Sequence, residues 1–136
     1  MSNTSPAFVF VHGAWHDAST WRLITPLLEA RGHLVRTSDL PGAGRNAKFP
    51  RTYGRRPLDP AAFATELSPN ADVSQEDRNR AVVASIDEVM RHEDSPVVLV
   101  GHSLGGLTSP LLPSLKLSPN ECPPSSILLP FFCRPV

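Results

Sequence analysis

The residues with the plainest chemical capacity are Gly101-His102-Ser103-Leu104-Gly105-Gly106, in which a serine stands two places after one glycine and two places before another. A serine hydroxyl is a weak nucleophile on its own. It becomes effective where a sharp turn raises it above a sheet and N–H groups can stabilise negative charge on the carbonyl it attacks. The spacing suits such a turn, because a Cβ two residues before or after the serine would collide inside it. Acyl transfer through Ser103 is the chemistry this stretch could perform. The same glycines would also serve an ordinary strand-to-helix turn, which needs small residues but no serine.

Several elements must position that serine. Val97 to Val100 is a short β-branched and aliphatic run, read as a buried parallel strand, and a helix is expected from Leu104 to Leu112. Ser103 would then stand at a helix N-terminus, where unpaired N–H groups favour negative charge. Ala7 to Val11 is a second continuous apolar run, ending in His12-Gly13-Ala14-Trp15. After it, Ser19 is placed to cap a helix from about Thr20 to Arg31, stopped by Gly32, with Trp21, Ile24, Leu27 and Leu28 on one face. Pro26 lies inside that span and predicts a local bend. His33 to Leu40 reads as another strand, closed by the turn Pro41-Gly42-Ala43-Gly44, so strand, helix and strand make a βαβ unit.

Residues 45–73 carry Arg45, Lys48, Arg51, Arg55 and Arg56, with no acid between the first and last of these five, and are broken by Pro50, Pro57, Pro60 and Pro69. They read as a solvated loop holding one short helix over Pro60 to Leu67. Ser74-Gln-Glu-Asp77 opens the clearest helix of the chain. Val82, Val83, Ile86, Val89 and Met90 recur at helical spacing and are expected to face the sheet as core. Beyond Leu112 no period survives: seven of the fifteen prolines fall in the last 27 residues, and 113–136 reads as an irregular or disordered tail.

Composition narrows the function classes. The 136 residues suit one domain, and thirteen basic residues balance thirteen acidic ones, so no overall field favours nucleic acid or an anionic membrane. Cys122 and Cys133 lie eleven apart with no histidine after them, which excludes a C-x-x-C redox or zinc pattern and fits free thiols in the cytoplasm. Gly42-x-Gly44 lacks the third glycine of a nucleotide loop. Neither a metal nor a cofactor is expected, and no apolar run is long enough to span a membrane.

Val9 to His16, Asp39 to Gly44 and Gly101 to Gly106, taken in that order, resemble the α/β-hydrolase superfamily, in particular the branch of small esterases, plant methylesterases and hydroxynitrile lyases. The resemblance runs from about Phe8 to Leu112. It implies an α/β fold, partial in this chain: an incomplete hydrolase domain over 1–112 with a three-stranded parallel sheet of order 2-1-3 flanked by helices. It also implies that Ser103 is the nucleophile and that the backbone N–H groups of Ala14 and Leu104 form the oxyanion hole. His12, Gly13, Gly101, His102, Gly105 and Gly106 would support the loop and the elbow, and Trp15 or His16 would line the acyl pocket. The lyase members carry threonine where this chain has Gly13, so hydrolysis of a small ester-like substrate is the expected activity.

One departure matters. The family order is serine, acid, histidine, yet after Ser103 there is no histidine and only one acid, Glu121. His33 and His92 fall at the opposite edge of the sheet, and His12 and His16 suit a structural role. The 136-residue chain is therefore expected to be weakly active or inactive. Two alternatives stay open: a non-catalytic module binding a small acyl or aromatic ligand, and a truncated product without a function. The Val97 to Val100 edge is expected to promote self-association and marginal stability.

Overall fold

A computed structural model describes residues 5–92 and 95–108. Three strands form a parallel sheet: β1 (Ala7–Val11), β2 (Val35–Thr37) and β3 (Val97–Gly101), in the order β2-β1-β3. Phe8 pairs with Val35 on one side of β1 and with Val98 on the other; Val11 pairs with Gly101. β1 is thus central, and its carboxyl end lies beside that of β3.

The longest helix, α3 (Gln75–His92), packs on one face of the sheet, joining Val82, Ile86 and Val89 to Ala7, Val9, Val11, Leu40 and Leu99 in a single core. Its start is the reciprocal cap expected from the sequence. The Ser74 hydroxyl accepts the Asp77 N–H at 3.1 Å, while the Asp77 carboxylate accepts the Ser74 N–H at 2.9 Å. Burying the three aliphatic side chains contributes about 2 kcal/mol each, against about 1 kcal/mol for a cap. Packing therefore holds α3 in place more than capping does. Met90 departs from the expected stripe, being 45% exposed; it lies one position past Val89, beyond the edge of the face that meets the sheet.

The opposite face is covered differently from expectation. Instead of one helix over 20–31, a 3-10 turn (Ala18–Trp21) is followed by a short α1 (Thr25–Glu29). The cap is Asp17, whose carboxylate accepts the Ser19 N–H at 2.8 Å, so Ser19 lies inside the turn. Pro26 bends nothing, because it sits in the first turn of α1, where its missing donor costs no hydrogen bond. Of the four apolar residues assigned to one face, Trp21 is buried against Phe10, with ring centroids 4.8 Å apart, while Ile24 and Leu27 are exposed. Gly32 ends the segment at φ +82°.

β2 is shorter than the expected 33–40. Residues 44–70 hold 3-10 turns at Gly44–Asn46 and Arg51–Gly54 and the helix α2 (Pro60–Thr65). The Glu66 carboxylate ties these together by accepting the N–H groups of Arg51 and Thr52. α4 (Leu104–Thr108) follows β3. The expected tail over 113–136 lies outside the described residues.

Candidate active site

Between the end of β3 and the start of α4 stand only His102 and Ser103. The sequence folds so tightly here because His102 continues the β1–β3 pairing, donating its N–H to Val11 O at 3.0 Å, before the chain turns into α4. Gly105 donates to His102 O at 2.9 Å and Gly106 to Ser103 O at 2.8 Å. Ser103 takes φ +53°, a left-handed conformation that costs an L-residue about 1 kcal/mol. The side chain is left exposed at the carboxyl edge of the sheet.

Both flanking glycines are required by close approach. A Cβ on Gly101 would lie 2.7 Å from Gly105 O, and one on Gly105 would fall onto Val11 O. Gly106 is under no such demand: a Cβ there would meet only Gly101 O, at 3.9 Å.

The loop after β1 is built against this turn. A Cβ on Gly13 would lie 3.0 Å from the Cβ of Ser103 and 2.8 Å from His102 Nδ1, so only glycine allows the two loops to meet. His12 anchors the loop from the core. Its ring is 1% exposed; Nδ1 donates to Gly13 O at 2.9 Å and Nε2 accepts the Leu40 N–H at 3.0 Å. One neutral tautomer satisfies both contacts. Ala14 and Trp15 follow, with Trp15 at φ +64° and its side chain in full contact with solvent. His16 closes the turn, its N–H reaching Gly13 O at 3.3 Å and its Nδ1 donating to Ala14 O at 2.7 Å.

The His16 ring stands edge-on to that of His102, 5.3 Å between centroids. Neither the Ala14 nor the Leu104 N–H is taken by an acceptor among the described residues. Two donors on facing loops beside an exposed serine are what a tetrahedral oxyanion needs.

The structure thus brings Ser103, Leu104, Gly13, Ala14, His102 and His16 to one edge of the sheet. Among the described residues it brings no base into hydrogen-bonding contact with the hydroxyl. Among the described residues no imidazole nitrogen hydrogen-bonds Ser103 Oγ: His12 is engaged on both sides, His102 Nδ1 is buried without a partner, and His33 donates to Pro6 O at the far edge. Nor do three or more metal-ligating side chains converge among the described residues. Trp15 and His16 are both exposed to solvent beside this turn.

Sequence reasoning passed over Asp39. Its carboxylate, nearly buried, accepts the N–H groups of Ala18 at 2.8 Å and Arg45 at 3.0 Å, which hold it below the usual aspartate range. The signal available was the Asp-x-Pro-Gly-x-Gly run itself, in which an acid precedes a turn of free N–H groups.

Comparison with known proteins agrees with this geometry. A family model described as the alpha/beta hydrolase family matches residues 8–130. Methylesterase 2 of Arabidopsis thaliana is 36% identical over 101 residues, 74% of this chain and 31% of that protein. Salicylic acid-binding protein 2 of Nicotiana tabacum is 34% identical over 103 residues, again 74% of this chain and 30% of the relative. Among solved structures, polyneuridine aldehyde esterase superposes with a TM-score of 0.51 at 31% identity, covering 79% of this chain and 34% of its own. An extracellular alpha/beta-hydrolase from a Paenibacillus species gives 0.50 at 25% identity, over 76% of this chain and 33% of its own. The chain spans about 30% of the length of the curated relatives it matches. No helix among the described residues is long and apolar enough to cross a membrane. With its family model covering nearly the whole sequence, this chain belongs to the alpha/beta hydrolase family.

Proposed function

We propose that this chain carries the nucleophile and oxyanion-hole half of a carboxylester hydrolase, acting on a small ester-like molecule. Ser103 attacks the ester carbonyl, and the N–H groups of Ala14 and Leu104 receive the oxygen as it becomes negative. The observation that carries this reading is Ser103 at φ +53° with the Gly13 loop pressed against it. A left-handed residue held beneath a second loop whose Ala14 N–H has no acceptor among the described residues is the kind of strain that functional turns store. The methylesterase and esterase relatives support the ester class.

Residues 104–136 contain no histidine and one acid, so these residues do not supply the family's usual base. Turnover by the 136-residue chain is accordingly weak, resting on the oxyanion donors alone. A second reading, a non-catalytic site that holds a small acyl or aromatic ligand, is favoured by the lack, among the described residues, of any imidazole hydrogen-bonded to Ser103 Oγ. Hydrolysis of 4-nitrophenyl acetate, compared between the wild type and Ser103→Ala, decides between them. Slow turnover lost in the variant supports the hydrolase. Saturable binding of the acid product with no turnover supports the ligand site, and the absence of both turnover and binding overturns both readings.

A further inference from the structure

We propose that Asp39 is a positioning residue for the oxyanion loop, clamping its far end to the close of β2 so that the Ala14 N–H stays aimed at the space above Ser103. The inference rests on the reading of Ala14 as an oxyanion donor. It begins with the two ends of the loop. Residues 13–17 run between His12, whose Nε2 accepts the Leu40 N–H at 3.0 Å, and Ala18, whose N–H donates to Asp39 Oδ1 at 2.8 Å. Two consecutive residues after β2 therefore grip both ends of a five-residue loop. Inside it, Trp15 keeps a left-handed backbone at φ +64°, which a bulky L-residue adopts only where its surroundings hold it.

Asp39 suits this task in its charged form. Its second oxygen accepts the Arg45 N–H at 3.0 Å, and Asn46 Nδ2 donates to its backbone carbonyl at 2.8 Å. Gly44, at φ +52°, passes so close that any Cβ there would fall onto the carboxylate. The acid is thus enclosed by donors and by a glycine with room for nothing larger. The charged groups facing it are the Arg45 guanidinium, with Nε at 3.4 Å, and the Asp17 carboxylate. The Arg45 side chain is almost wholly in solvent, so the two backbone N–H groups supply most of the grip. An asparagine of the same shape has only one oxygen, so its NH2 would be set against the N–H of Ala18 or of Arg45.

The test is amide NMR of the full 136-residue chain. The Ala18 and Ala14 resonances are expected to move together on acidification, with one midpoint below the ordinary aspartate value of 3.8. Asp39→Asn should hold both at their acid-form positions at neutral pH while Ile86 and Val89 in α3 stay unchanged. Gly44→Ala, which displaces the carboxylate, should shift Ala14 in the same direction. Asp39→Asn should also slow labelling of Ser103 by a fluorophosphonate about tenfold. An Ala14 resonance that stays still while Ala18 titrates overturns the proposal, and so does an Ala18 midpoint at the ordinary value. If Asp39→Asn does not fold, the wild-type titration decides by itself. If the wild type is not labelled at all, the hydrolase reading fails, and the amide titration still decides whether Asp39 sets the loop.

Discussion

Gly13 and Ser103, ninety residues apart in sequence, approach so closely that a Cβ on the first would lie 3.0 Å from the Cβ of the second. The loop bearing one proposed donor and the turn bearing the proposed nucleophile are thereby in contact. Gly13→Ala should part them, because His102 Nδ1 and His102 O also stand within 3.1 Å of the added methyl. Esterase activity or Ser103 labelling should fall about tenfold to a hundredfold while the helical circular dichroism is retained. An alanine variant with the wild-type rate would show that the loop plays no part in the chemistry.

His12 is expected to matter more for stability than for any proton transfer. Removing its ring strands the buried Leu40 N–H and leaves a cavity at the end of β1. His12→Ala should therefore cost about 3 kcal/mol, read as a lower urea midpoint with little change in slope. A loss below about 0.5 kcal/mol would mean that the ring is not the anchor described.

Acid should unfold the chain through its hydrogen-bonded carboxylates. The Ser74 hydroxyl, then its N–H and Arg80, pull Asp77 down to about 2, and backbone donors lower Asp39 in the same direction. Folded values below the unfolded 3.8 mean that the stabilisation is present above that pH and is lost as pH falls toward the folded values. Melting temperatures should hold steady above about pH 5 and decline below it, with a shallower decline in Asp77→Asn. The Asp77 side chain is 35% exposed, so its share should shrink in high salt. A melting temperature that rises on acidification would contradict this account.

The outer edge of β3 is unpaired among the described residues, since the strand bonds only to β1. An unpaired edge rich in valine can take up a second chain. The apparent mass by light scattering should rise with concentration, and Val98→Lys should reduce that rise. A concentration-independent monomer with a cooperative melt above about 60 °C would overturn both the self-association and the marginal stability expected here.

What the sequence made legible followed from local rules with a single answer. β1 and β3 were readable as unbroken apolar runs, the start of α3 as a serine and an aspartate three apart, and the turn at Ser103 as glycines that nothing larger could replace. Trp21 to Leu28 misled because an apolar 3.6-residue spacing looks the same whether one helix or two short turns carries it. There Asp17, not Ser19, decided the start, by being the first carboxylate in reach of free N–H groups. The Asp39 clamp was hidden for a different reason. Its main partners are the backbone N–H groups of Ala18 and Arg45, which every residue type possesses, so the Asp-x-Pro-Gly-x-Gly run marked the acid without naming what it would hold.

The most direct test of the account is the fate of Ser103 itself. The 136-residue chain would be incubated with a fluorophosphonate at neutral pH, digested, and the labelled peptide identified by mass spectrometry. A slow, single-site adduct on Ser103, lost in Ser103→Ala and slowed in Gly13→Ala, is the predicted result. No adduct, or adducts spread over other hydroxyls at the same rate, would show that the elbow holds its serine without activating it.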